Sequence, residues 1–130
     1  MEKLSEKKRF SIVARFKSTT NAWRGLIIFI KTTHNAWLHL FFAVLAIYLG
    51  IILKISYIEW AIVVFAIGLV IITEALNTAF EIDINLTSPN YHPYARDTKD
   101  VAASAVALSV IVAGVIGLII FAPKILELYI

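Results

Sequence analysis

Three stretches of this chain carry no formally charged residue, and this feature limits what the chain can fold into. They are residues 36–53, 60–72 and 101–122. A hydrocarbon core about 30 Å thick is crossed by about 20 mostly apolar residues of α-helix. The chain of 130 residues is 60% apolar and only 16% charged, which is more apolar surface than a soluble domain of this size can bury. The sequence therefore predicts an all-α membrane protein with three transmembrane helices.

The helix boundaries follow from these stretches and from the residues that flank them. We expect transmembrane helices at about 36–54, 58–85 and 98–122, in a single membrane domain that covers residues 1–130. Each then comes close to the length needed to cross the core.

A fourth helix, amphipathic and lying on the membrane surface, is expected at about residues 7–31. Basic residues recur there every seven positions beside apolar ones, in the pairs Lys17 and Phe16, Arg24 and Trp23, Lys31 and Ile30. A basic stripe next to an aromatic and apolar one is typical of an interfacial helix. The alternative is a solvated basic tail.

The distribution of basic residues predicts the orientation in the membrane. Eight Lys or Arg precede the first span, Arg96 and Lys99 lie between the second and third, and only Lys54 lies between the first two. The positive-inside rule therefore places the N-terminus and the 81–100 segment in the cytoplasm, and the C-terminus on the other side of the inner (plasma) membrane. We expect the basic segment to meet an anionic membrane surface, and we expect no nucleic-acid partner.

A polar face continues the second apolar stretch. Glu74, Asn77, Thr78 and Glu81 occupy positions i, i+3, i+4 and i+7, which lie on one side of a helix. Residues 60–72 cover only about 20 Å at 1.5 Å per residue, so the helix must continue past Glu74 to reach cytoplasmic water. Glu74 would lie near the depth of a lipid hydroxyl group, with Glu81 about 10 Å nearer the cytosol. Carboxylates at that depth are candidate functional residues.

The segment after this helix contains further polar residues. Turn-forming residues at 88–93 predict a short loop. Asp97 is the predicted N-cap of the next helix, with Asp100 at its N3 position. Lys99 and Asp100 would then face the same cytoplasmic mouth as Glu81, and the first backbone N–H groups of the helix would be open to an anion.

These residue types match the requirements of phosphoryl transfer. One carboxylate can bind Mg²⁺, a lysine can neutralise phosphate oxygens, and a second carboxylate can accept the proton of an attacking hydroxyl. Each residue also has a structural alternative: Glu74 in an ion pair with the N-terminal helix, Glu81 solvated, Asn77 as an interhelical donor, Asp100 as a cap, and Lys99 as an interfacial anchor.

The motifs resemble those of a known family. The sequence EALNTAFE at 74–81, the loop Tyr91-His92-Pro93 and the sequence ARDTKD at 95–100 are similar to the signature of the small bacterial diacylglycerol kinase and undecaprenol kinase family. That signature runs E-x-x-N-[ST]-A-[IF]-E, a loop with Tyr-His, and A-K-D or a close variant. The sequence WRGL at 23–26 matches the family's N-terminal helix.

The resemblance implies a homotrimer with active sites at subunit boundaries and ATP-dependent phosphorylation of a membrane lipid alcohol. It implies that Glu74 is the general base for the lipid hydroxyl. The other implied roles are organisation of the site by Asn77, binding of Mg²⁺ and ATP phosphates by Glu81, and contacts with ATP by Lys99, Asp100, Tyr91 and His92.

Two positions depart from the family pattern. Thr33 stands where members usually have a second metal-binding glutamate, and Asn85 stands where they have an aspartate. The alternative function is therefore a catalytically inactive relative that serves as a lipid-binding or structural membrane protein. A small transporter is a weaker third hypothesis, because no pair of Gly- or Pro-interrupted spans is present. No motif encodes which lipid alcohol, diacylglycerol or undecaprenol, would be the substrate.

Overall fold

The computed structural model describes residues 11–33 and 35–130, which form four α-helices. They are α1 (Ile12–Thr32), α2 (Ala36–Ile52), α3 (Tyr57–Thr87) and α4 (Pro93–Glu127). The all-α prediction is confirmed. Helices α3 and α4 are each long and apolar enough to cross a membrane, and α1 with α2 makes a third candidate if the bent pair counts as one span.

Helix α1 leaves α2 at nearly a right angle. Its N-cap is Ser11, whose hydroxyl accepts a hydrogen bond from the N–H of Ala14 at 3.4 Å, and its C-cap is the extended residue Thr33. The bend between α1 and α2 is 102°. No residue of α1 is buried within the chain. The part of the predicted surface helix before Ser11 lies outside the described residues.

The turn between α2 and α3 is closed by a capping box. Lys54 adopts a positive φ of 49°. The hydroxyl of Ser56 accepts from the N–H of Glu59, and the Glu59 carboxylate accepts from the N–H of Ser56. This reciprocal pairing satisfies two backbone donors that a helix start leaves open. Lys124 lies 3.3 Å from the other oxygen of Glu59 and so ties the end of α4 to the start of α3.

Helices α3 and α4 run antiparallel and pack along most of their length, while α2 contacts α3 over a shorter stretch. The core cluster lies towards the end of the bundle that holds the α2–α3 turn, and consists of Ile55, Val63, Ile120 and Phe121. Nearer the other end, the hydroxyl groups of Thr73 and Ser109 lie 2.8 Å apart across the α3–α4 interface. Many large apolar side chains point outward from the single chain, as expected for surfaces that face lipid or other subunits.

The start of α4 differs from the prediction. The helix begins at Pro93, and His92 is its N-cap, with the imidazole Nδ1 accepting from the N–H of Tyr94 at 3.3 Å. Proline suits the first helical position because its fixed φ is already helical and it has no N–H to satisfy. The predicted N-cap at Asp97 is therefore wrong. The predicted anion site at that helix start is wrong too, because those N–H groups lie inside the helix.

Candidate functional site

Glu74 is the most deeply buried acidic residue of the described chain. Its exposed fraction is 3%. It lies on α3, and the turns of α3 that precede it are apolar. The imidazole of His39 contacts the carboxylate, with Nε2 3.6 Å from Oε2 of Glu74. His39 lies in the first turn of α2. The contact that the structure shows for the Glu74 carboxylate thus comes from α2, whereas the sequence offered an ion pair with the N-terminal helix as the structural alternative.

A pair of threonine hydroxyls joins the end of α1 to this face. The Oγ1 atoms of Thr33 and Thr78 lie 2.7 Å apart, and both residues are buried. Thr78 donates its single hydroxyl hydrogen to the carbonyl oxygen of Glu74 at 3.0 Å, so Thr33 is the donor to Thr78. The hydroxyl at the position of the family's second glutamate is thus committed to an internal hydrogen bond.

The next turn of α3 carries Asn77 and Glu81. The amide nitrogen of Asn77 donates to Oε1 of Glu81 at 3.1 Å. This bond lies within one helix and uses one of the two amide hydrogens of Asn77. The side-chain oxygen Oδ1 of Asn77 is buried without a hydrogen-bond partner among the described residues, whereas Glu81 is exposed. The polar face therefore runs from a buried carboxylate to an exposed one.

A pocket of about 310 Å³ lies where α3, the loop and α4 meet. Four predicted site residues line it: Tyr91, His92, Lys99 and Asp100. Lys99 donates from Nζ to Oδ1 of Asn85 at 2.7 Å. Asp100 lies 3.6 Å from Arg96, one turn earlier on α4, and both side chains are largely exposed. Glu81 is not part of the lining but precedes Asn85 by one helical turn.

The carboxylates of the polar face are candidate ligands for Mg²⁺. No cluster of three His, Cys, Asp or Glu that could hold a metal occurs within residues 11–33 and 35–130. Mg²⁺ is usually bound through one or two carboxylates together with substrate phosphates and water. Glu81, exposed and oriented by Asn77, fits an ion that arrives with a nucleotide.

An apolar groove of about 350 Å³ runs between α2, α3 and α4. Its lining includes Phe42, Leu49, Val70 and Phe121. His39 is the polar residue among those that line it, and its ring lies next to Glu74. The groove therefore runs along the apolar part of the bundle as far as His39, the neighbour of Glu74.

Sequence reasoning missed two partners of the predicted residues. His39 was present as an imidazole in an otherwise uncharged stretch, but no spacing rule connects it to Glu74, which lies on another helix. Asn85 departs from the family pattern and is the partner of Lys99. Both contacts depend on how the helices pack, which a periodicity does not contain.

Apolar helices joined to a polar face at one end of the bundle define this chain as an all-α membrane protein. A model described as prokaryotic diacylglycerol kinase matches residues 20–121. The chain therefore belongs to this family of membrane lipid kinases.

Individual relatives agree with this assignment. The undecaprenol kinase of Bacillus subtilis (strain 168) is 38% identical over 109 residues, which is 84% of this chain and 89% of that protein. The diacylglycerol kinase of Synechocystis sp. is 36% identical over 108 residues, which is 82% of this chain and 62% of that longer protein. No solved structure matches the chain.

Proposed function

We propose that the protein transfers the γ-phosphate of ATP to the hydroxyl group of a membrane lipid alcohol, either diacylglycerol or undecaprenol. The observation that carries the proposal is the burial of Glu74 on a helix face that continues to the exposed Glu81. A lipid hydroxyl comes from the bilayer and ATP comes from water, so a kinase for this reaction needs polar groups that connect the two.

The depth of these groups supports this arrangement. The contact between Glu59 and Lys124 holds the opposite end of the α3–α4 pair. Glu74 lies 15 residues after Glu59, or about 22 Å along the helix, and Glu81 lies about 10 Å further. In a core about 30 Å thick, Glu74 is then inside the cytoplasmic boundary and Glu81 is at or beyond it.

In the proposed reaction Glu74 is the general base. Its carboxylate takes the proton of the lipid hydroxyl while the lipid oxygen forms a bond to the γ-phosphorus of ATP. The bond between that phosphorus and the bridging oxygen breaks, and ADP leaves with the electron pair. A carboxylate within hydrogen-bond reach of the hydroxyl is sufficient for this role, and low-dielectric surroundings strengthen its interactions.

The exposed end of the face is proposed to hold the nucleotide. Glu81, oriented by the amide of Asn77, would bind the Mg²⁺ of Mg-ATP, which neutralises phosphate charge. The remaining proposed contacts with ATP come from the pocket residues Tyr91, His92, Lys99 and Asp100. Lys99 suits a phosphate because its partner Asn85 is neutral and leaves the ammonium charge uncompensated.

The proposed setting is the inner (plasma) membrane, with the N-terminus and the α3–α4 loop in the cytoplasm. We infer that α1 lies on the membrane surface, because it is nearly perpendicular to α2 and none of its residues is buried in the chain. We infer that the assembly is a homotrimer. In a single chain Glu81 and Asp100 are exposed, so neighbouring subunits could supply further contacts to these two residues.

The experiment is the substitution Glu74→Gln in the full chain, which keeps the shape of the side chain and removes its basicity. We expect loss of phosphate transfer from labelled ATP to dioleoylglycerol and to undecaprenol. Gel filtration in detergent should show the same assembly as for the wild type. Glu127→Gln is the control, because that carboxyl group is exposed at the far end of α4. Activity of Glu74→Gln equal to that of the control would overturn the assignment of the base.

A catalytically inactive lipid-binding protein is the second candidate. The contact between Thr33 and Thr78 favours it, because a hydroxyl in an internal hydrogen bond replaces a metal-binding carboxylate. Titration of the purified protein with Mg-ATP separates the two functions. The kinase requires saturable binding of the nucleotide together with lipid phosphorylation, and the inactive protein would give neither.

A further inference from the structure

The imidazole of His39 has a buried nitrogen without a hydrogen bond in the described part of the chain, which is unusual for a side chain that has only a packing role. Its Nε2 atom is buried and makes no hydrogen bond to a described residue. The atom that faces it is Oε2 of Glu74, at 3.6 Å. An unsatisfied buried nitrogen is destabilising, and an apolar side chain of similar size at this position would avoid that cost.

The surroundings of the ring leave Glu74 as the acceptor for its Nε2 atom. The groove that His39 lines is otherwise built from apolar side chains of α2, α3 and α4. Thr78, the neighbouring hydroxyl on α3, is already engaged with Thr33 and with the carbonyl of Glu74. The carboxylate of Glu74 is therefore the acceptor that a small movement of the ring would bring within reach of Nε2.

We propose that His39 is the positioning residue for Glu74, an inference that rests on the proposed function. When a lipid alcohol occupies the site, the Nε2–H of His39 donates to Oε2 and fixes the carboxylate. The second oxygen, Oε1, is then directed to the lipid hydroxyl. The observed 3.6 Å has to shorten to about 2.8 Å, and catalytic hydrogen bonds are often long before substrate binds.

The groove explains why this contact would tighten with substrate. A hydrocarbon chain in the groove would lie against the same helices that carry His39 and Glu74, and would exclude water from both side chains. Lower local polarity strengthens a hydrogen bond to a carboxylate. The positioning effect should therefore be felt at saturating lipid, in kcat, and not in the affinity for ATP.

The test is a series of substitutions at His39 that separates reach from polarity. His39→Gln retains an N–H donor near the place of the imidazole Nε2, whereas His39→Asn is polar but too short to reach Glu74. His39→Phe retains the ring volume without a donor. We expect kcat to fall about 10- to 100-fold for Asn and Phe, a part of the effect of a general base, and less for Gln. The KM for ATP should stay unchanged throughout the series.

Each outcome has a distinct meaning when Glu74→Gln is assayed in parallel. If Glu74→Gln is inactive and His39→Phe retains full kcat, the inference about His39 is overturned and the proposed function stands. If Glu74→Gln is active, the assignment of Glu74 as the base fails, and the inference about His39 fails with it. If the wild-type protein phosphorylates neither lipid, the proposed function itself fails. Equal losses for Gln, Asn and Phe with lowered thermal stability would show a packing role. Leu45→Ala, in the same groove, measures the effect on kcat of widening the groove alone. It changes no hydrogen-bond donor, so it should not reproduce the difference in kcat between His39→Gln and His39→Asn.

Discussion

The Nζ atom of Lys99 lies 2.7 Å from Oδ1 of Asn85, so the first turns of α4 are joined to the last turns of α3. Asn85 follows Glu81 by one helical turn, which brings the lysine ammonium to the same end of the polar face. A neutral amide orients the ammonium without cancelling its charge. The pair is therefore suited to attract the phosphates of a nucleotide that approaches from water.

Lys99→Gln tests this role. The substitution removes the charge, so we expect the KM for ATP to rise about 10-fold or more, because a hydrogen bond to a charged group contributes about 1.5–3 kcal/mol. The KM for the lipid should be unchanged, since the lipid side of the site lies deeper on α3. Steady-state kinetics with varied ATP and with varied lipid measures both constants.

Lys124→Gln is the matched control, because it removes a lysine from the opposite end of the same helix, where the partner is Glu59. It should leave both KM values unchanged. An equal rise in the KM for ATP with both variants would mean that general charge, and not the position of Lys99, determines nucleotide affinity.

Thr33→Val tests whether Thr33 is a metal ligand or a structural donor. The hydroxyl is buried and donates to Thr78 at 2.7 Å, so its loss should lower the free energy of unfolding by about 1 kcal/mol. The Mg²⁺ concentration for half-maximal activity should stay the same. Thermal denaturation in detergent and Mg²⁺ titration of activity measure the two quantities. A higher Mg²⁺ requirement with unchanged stability would contradict the structural role, and Thr33→Ser should behave as the wild type in both.

The helices could be predicted from the sequence because a bilayer imposes strict requirements on length and polarity. The polar face 74–81 could be predicted for a similar reason, since residues at i, i+3, i+4 and i+7 share one side of any α-helix. The partners of that face could not. Thr33 meets Thr78 across 45 positions, and His39 meets Glu74 from another helix, so both contacts depend on packing.

The error at Asp97 has a local cause. The pair His92-Pro93 predicts a turn, although proline is also favoured at the first position of a helix. Aspartate is common at helix starts, so Asp97 and Asp100 favour a later start than the one the structure shows. With His92 as the cap, Lys99 and Asp100 belong to the second helical turn. Their side chains, and not free backbone N–H groups, are what α4 presents to the pocket.

Gly50→Ala tests the packing of the α2–α3 turn. A Cβ atom at Gly50 would lie 2.8 Å from Cη2 of Trp60 and 3.1 Å from Cδ1 of Ile55. Because the indole ring and the turn would have to shift, we expect a loss of about 1–3 kcal/mol, the usual cost of overpacking. Gly68→Ala is the control, since nothing lies within 4 Å of its Cβ position in the chain. Denaturation of both variants in the same detergent gives the comparison, and equal stability would contradict the close packing at Gly50.

The orientation in the membrane can be tested directly, because the native sequence contains no cysteine. Tyr57→Cys places a single exposed thiol at the start of α3, and Asn90→Cys places one in the loop that follows α3. Val63→Cys places one at a buried site within α3. A membrane-impermeant maleimide should label Tyr57→Cys in spheroplasts and Asn90→Cys in inverted vesicles. Val63→Cys should be labelled in neither.

The reverse labelling pattern would have a consequence beyond topology. It would place the pocket between α3 and α4, with Lys99 and Asp100, on the side of the membrane away from cytoplasmic ATP. Glu81 would then lie on that side as well, because it precedes the loop on α3. Phosphorylation from cytoplasmic ATP at this pocket would be impossible, since the polar face would open in the wrong direction. The orientation is thus a condition of the proposed kinase activity, and the two thiols test it independently of any activity assay.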